Sequence, residues 1–128
     1  MNDQEFLRVF EAHTLSEFPH KSHIRMAWLY LRAEGWEKGN IQIQNGIRDF
    51  AAALGASRKY HQTITMFWAR LVQHAIEHQP DINDFDRFLE KYPLLLNGRV
   101  ISFHYSATLI QSEEARNQWM EPDLLPLP

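Results

Sequence analysis

Apolar residues recur at three- and four-residue intervals along most of the chain, the spacing of helices that each bury one face. Phe6, Leu7 and Phe10 follow a capping Asn2 or Asp3 and predict a first helix to about His13. Ile24, Ala27, Trp28 and Leu31 predict a second over His20 to Glu34, with Gly35 where a helix C-cap belongs. Ile43, Ile47, Phe50, Ala51 and Leu54 mark a third from Trp36 to Leu54, its first turns loosened by Gly39 and Asn40. Ser57 is read as the cap of a long fourth helix running to about Gln79, with Ile64, Trp68, Val72, Ala75 and Ile76 as its buried stripe. Phe85, Phe88 and Leu89 belong to a fifth, from Asp81 or Asn83 through Lys91, closed by Pro93.

The stretch Leu94 to Tyr105 is the least helical, with an Asn97-Gly98 turn and a run of strand-formers that has no second strand to pair with. It predicts an extended segment lying on helices. A short helix from Ser112 to Met120 and a proline- and leucine-bearing tail complete the chain. The expected fold class is therefore all-α: a compact bundle of four to five main helices with a short extended segment and a C-terminal tail, forming a single helical domain over residues 1–128.

Composition narrows the chemistry. The 128 residues are 45% hydrophobic, which suffices for a core without covalent staples. There is no cysteine and there are seven histidines, so imidazole and carboxylate are the strong metal ligands on offer. A net charge of -3 without a run of like charges gives no footprint for nucleic acid. No apolar stretch approaches the roughly 20 residues of a membrane span, and the start Met-Asn-Asp-Gln-Glu lacks the pattern of a signal peptide. The expectation is a cytoplasmic protein with neither nucleic acid nor membrane as partner.

Two histidine pairs and a lone one stand out. His20 falls in the middle of the second helix's apolar stripe, and His23 lies roughly 60° to one side, so both can face the interior along with Glu34. An H-x-x-H pair on one face brings two imidazoles together as metal ligands do. On the fourth helix, His61 and Thr65 share the stripe of Ile64, Trp68 and Val72, while Thr63 lies further round. A buried imidazole left unpaired costs about 1–3 kcal/mol, so the two polar strips are expected to meet. The bland alternative is a hydrogen-bonded network that sets helix register. His74 and His78 also stand four apart, but off the stripe near a helix C-terminus, where a solvated histidine suits the dipole. His13 and His104 are isolated.

Ser57-Arg58-Lys59 sets two cations at the start of the fourth helix, where the macrodipole is already positive. One compensation is an anion held by free backbone N–H groups, Ser57 and the two cations. Signatures such as H-E-x-x-H, a His-Asp dipeptide, a P-loop, G-x-G-x-x-G and G-x-S-x-G are absent.

The runs Phe18-Pro19-His20-Lys21-Ser22-His23-Ile24-Arg25-Met26-Ala27-Trp28-Leu29-Tyr30-Leu31 and Lys59-Tyr60-His61-Gln62-Thr63-Ile64-Thr65 are joined by Tyr105-Ser106, Ala115-Arg116 and Pro122-Asp123. Together they resemble a family of small uncharacterised bacterial proteins with the pattern F-x-H-x-x-H-[IV]-R-x-A-W-L-Y-L, then K-Y-H-x-T-x-T. The resemblance spans most of the chain. It implies no reaction, and it marks His20, His23, Lys59, Tyr60, His61 and Thr63.

The functional expectation is an enzyme acting on a small, anionic molecule at a histidine-rich site between helices. In one version His20, His23 and His61 hold a divalent metal (Zn, Fe, Ni or Cu) for hydrolase, lyase or oxygenase-type chemistry. In the other the histidines transfer protons without metal. His61, Tyr60 and Thr63 are the candidate catalytic residues, and Ser57, Arg58, Lys59 and Thr65 the candidate ligand-binding ones. The alternative is a non-enzymatic ligand- or partner-binding module whose histidines form a structural network.

Overall fold

The computed structural model describes all 128 residues, which form helices joined by short connections and no strand. Helix α1 (Asp3–Glu11) is capped by the Asn2 side chain, which accepts from the Glu5 amide at 2.8 Å. It buries Phe6 and Phe10 against α2 (His20–Ala53). Arg25 fastens the two by bonding Asp3 Oδ1 at 2.9 Å and lying 4.6 Å above the Phe6 ring.

Helix α2 is one helical run broken at Gly35, whose φ of 78° and ψ of -178° are open to a residue without Cβ. The break sits where a C-cap was expected. It folds residues 36–53 back on residues 20–34, so closely that a Cβ on Gly39 would stand 3.1 Å from both Leu31 Cα and the Tyr30 carbonyl. Ile24, Ala27, Trp28 and Leu31 are all buried, as their spacing predicts. Leu54 and Glu34 depart from expectation. Leu54 ends up 62% exposed beyond the helix, and Glu34 turns outward to pair with Lys38 at 3.2 Å.

Helix α3 (Gln62–His78) begins four residues later than the Ser57 cap predicted. Ser57–Lys59 form a separate 3-10 turn after the positive-φ Gly55, and the cap of α3 is His61. The buried stripe is displaced in part: Val72 and Ala75 are buried as expected, but Thr63 and Phe67 are wholly buried too, whereas Ile64, Trp68 and Ile76 are half-buried. The physical reason is that α3 is covered on two sides, by α2 and by the chain's C-terminal third.

That third holds the largest departure. After α4 (Phe85–Lys91, capped by Asp84), residues expected to be extended form 3-10 turns at Pro93–Leu96 and Gly98–Phe103. With no strand to pair with, the backbone satisfies its own polar groups locally, as in the bond from the Val100 amide to the Asn97 carbonyl. Two short helices follow, α5 (Ala107–Ile110) and α6 (Glu113–Asn117), each capped by a serine, Ser106 and Ser112. The second replaces the longer helix expected to Met120.

The remaining tail is stitched to the body by specific bonds. Tyr105 donates its hydroxyl to the Met120 carbonyl at 2.7 Å, and Ser106 donates its amide and hydroxyl to the Asp123 carboxylate at 2.8 and 2.6 Å. Thr63, from inside α3, donates to the Gln118 carbonyl at 2.8 Å and accepts from the Met120 amide at 3.1 Å. Replacing Thr63 by valine keeps the volume but strands both backbone groups, which should cost about 1–3 kcal/mol. Urea unfolding should show this loss, and hydrogen exchange at the Met120 amide should accelerate; unchanged exchange in Thr63→Val would mean that other bonds hold the tail.

Candidate functional site

A cavity of about 320 Å³ opens between α2 and α3. Its apolar floor comes from Met26, Ala27, Ile43, Ile47, Ile64, Trp68 and Ala69, and its polar groups are His20, His23, Lys59, Tyr60, His61 and Thr65. The fold-back at Gly35 supplies two walls, and the 3-10 turn with the start of α3 supplies the rim. The two polar strips therefore do meet, and both histidine motifs line one space.

Each imidazole is held differently. His20 donates Nε2–H to the Leu95 carbonyl at 2.8 Å and meets the Trp68 ring edge-on at 4.4 Å. A carbonyl can only accept, so Nε2 carries the proton, and Nδ1 has no hydrogen-bond partner in the protein. His23 stacks on Phe18 with ring centroids 3.9 Å apart. Burial, with the His20 imidazole beside it, pulls its pKa down to about 4 against a weaker opposing bond from the Phe18 backbone. It is a neutral ring at neutral pH.

His61 has both nitrogens engaged. Nε2–H donates to the Ile110 carbonyl at 2.8 Å, and Nδ1 accepts the Ile64 amide at 3.1 Å, which caps α3. Burial lowers its pKa, with Arg116 pushing the same way and the Ile110 carbonyl opposing. The Tyr60 phenol is raised by burial against the opposing Arg48 charge and the Thr65 hydroxyl, and it donates to Gln62 Oε1 at 2.7 Å. It remains a protonated hydroxyl.

The expected site residues thus divide. His20, His23, Lys59, Tyr60, His61 and Thr65 line the cavity, while Thr63 is absent from its lining and uses its hydroxyl on the tail. Ser57 and Arg58 line a neighbouring pocket instead. No α-helix starts at Ser57, so the expected row of free helix N–H groups for an anion is missing there. No three His, Asp or Glu side chains gather into a group that could hold a metal, and ligation by His61 would require it to release a helix cap or a carbonyl. Of the other histidines, His78 donates to the His74 carbonyl at 2.9 Å in the last turn of α3, and His104 to the Leu125 carbonyl at 2.9 Å.

Two further residues matter that spacing did not single out. Gln62 accepts from Arg48 at 3.0 Å and from Tyr60, and donates to Gln44 at 2.9 Å, linking the second limb of α2's fold-back to the rim. Arg48 lies 4.7 Å above the Tyr60 ring. Their signal in the sequence is faint, since both read as ordinary exposed positions on amphipathic helices.

No known protein family, curated protein or solved structure matches the chain.

Two outcomes follow from these environments. His61→Ala removes the cap of α3 and should destabilise the fold by about 1–2 kcal/mol, whereas His61→Asn, which can accept the same amide, should recover most of it in thermal unfolding. Equal loss in both would place the role of His61 outside capping. For His23, the folded value of about 4 lies below the ordinary 6.5, so the unfolded chain takes up the proton first as pH falls. Its contribution is complete above about pH 6.5 and is lost towards pH 4, on the order of 3 kcal/mol. Urea unfolding at neutral pH and near pH 4.5 should show that slope, and His23→Phe should flatten it; an unaltered slope would assign it to other groups.

Proposed function

We propose that the chain is an enzyme acting on a small anionic molecule with an apolar body, by proton transfer through imidazoles in the cavity between α2 and α3. The observation that carries this reading is the convergence of His20, His23, Lys59, Tyr60, His61 and Thr65 on one apolar-floored space. Pockets that combine an apolar lining with a few converging polar groups and shifted pKa values are where ligands bind and reactions occur. In this reading the open Nδ1 of His20 or the neutral ring of His23 accepts the proton. The Tyr60 and Thr65 hydroxyls orient the substrate, and Lys59 at the rim attracts its charge. His61 shapes the wall by capping α3 and gripping Ile110.

A second reading has one specific support. The Nε2–H of His20 is spent on a backbone carbonyl, the kind of partner that fixes the tautomer of a metal-bound imidazole. His20 and His23 would then be the ligands offered to Zn, Fe, Ni or Cu, and the metal would polarise a substrate carbonyl or activate water.

Methyl-detected NMR with benzoate and short alkyl carboxylates as probes tests the cavity. Saturable shifts at Ile43, Ile47 and Ile64 are expected, with affinity weakened about tenfold in Lys59→Ala, the scale of one lost charge-assisted contact. Shifts absent from these methyls with every probe would overturn the reading. Calorimetry with each metal separates the second version: uptake abolished by the His20→Ala, His23→Ala double variant supports it, and no uptake by the native chain removes it.

A further inference from the structure

Beside the imidazole cavity, and sharing Tyr60 with it as a wall, lies a second, more open pocket of about 670 Å³. Three arginines from three separate elements line it: Arg48 of α2, Arg58 of the 3-10 turn and Arg116 of α6. Ser57 and Asn117 add a hydroxyl and an amide, and Glu113 is the one carboxylate. In a chain whose net charge is -3, three guanidinium groups against one carboxylate is a local reversal of sign.

The arginines are not neutralised. The ion pairs of the molecule are Arg8–Glu5, Arg25–Asp3 and Lys38–Glu34, and none involves this pocket. Arg116 is held by the Arg58 backbone carbonyl at 2.7 Å, and Arg48 by the Gln62 amide oxygen at 3.0 Å and the Tyr60 ring face. These partners are neutral. They hold two side chains in place while leaving each with its charge and further N–H donors free.

We infer that this pocket binds a tetrahedral dianion, a phosphate or sulfate group, gripped by Arg48, Arg58 and Arg116. Clustered guanidinium forks match such groups in geometry as well as charge, and a carboxylate has fewer oxygens to share among three of them. Like charges brought together without a counter-ion repel one another, and a bound dianion removes that repulsion. The inference does not rest on the reading of the imidazole cavity, because its occupant is recognised without any histidine. The shared Tyr60 wall makes an organic phosphate or sulfate, as well as the free ion, a suitable occupant.

Inorganic phosphate, titrated at low ionic strength above its second ionisation, is the direct probe, followed by amide and arginine side-chain NMR. Saturable shifts centred on residues 57–60 and 116–117 and on the Arg48 side chain are expected, with sulfate competing and acetate at least about tenfold weaker. Arg58→Gln, whose guanidinium holds no other part of the fold, should weaken phosphate about tenfold without moving the melting temperature. Glu113→Gln should tighten it severalfold, an effect that a structural role for these residues would not produce. Shifts scattered over the surface, absent, or unaffected by Arg58→Gln would overturn the inference. Phenyl phosphate distinguishes the sources, both consistent with the site: tighter binding than inorganic phosphate, with added shifts at Ile64, marks an organic ester, and equal binding marks the free ion.

Discussion

Two half-buried imidazoles need partners, and both find them in the same way. His20 and His61 stand on the facing walls of α2 and α3, and each donates Nε2–H to a backbone carbonyl far along the chain, Leu95 and Ile110. Leaving either ring unpaired in an apolar wall would cost about 1–3 kcal/mol, so the C-terminal third is drawn against the pair of helices at two points. Much else depends on this constraint. It sets which nitrogen carries the proton in each ring, frees Nδ1 of His20, lets Nδ1 of His61 cap α3, and brings α6 with Arg116 beside the rim.

The C-terminal third makes little regular structure of its own. Its 3-10 turns and two short helices are held by side chains that reach across, notably Thr63, Tyr105, Ser106 and Asp123. Tyr105, Ser106 and Asp123 thus form a latch for the tail. Ala115 is wholly buried, and Arg116 binds the Arg58 carbonyl. His20, His23, Lys59, Tyr60 and His61 surround the cavity instead. Thr63 spends its hydroxyl on the latch, while its neighbours Tyr60 and His61 line the cavity.

Charge is arranged in two compartments that meet at Tyr60. On the inner side the imidazoles of His23 and His61 are pressed towards neutrality by burial; on the outer side three guanidinium groups stand without an acidic partner in an ion pair. Arg116 connects them, since its charge also lowers the pKa of His61. An anion bound outside would weaken that effect and make His61 easier to protonate.

Helix existence and the break at Gly35 were legible in the sequence, because each rests on local rules: a 3.6-residue period and a glycine that tolerates positive φ. The two histidine motifs do line one cavity, but not as each other's partners: His20 and His61 pair with the backbone carbonyls of Leu95 and Ile110. The start of α3 was not legible. Ser57 and His61 are both plausible caps by type, and only the Ile110 carbonyl, brought up from 49 residues away, orients the His61 ring so that Nδ1 receives the Ile64 amide. The strand-formers between Leu94 and Tyr105 became 3-10 turns because a lone extended segment has no neighbour for its backbone groups. The gathering of Arg48, Arg58 and Arg116 was likewise decided by tertiary structure: each lies on a different element, and no spacing along the chain encodes which exposed side chains the fold will bring together.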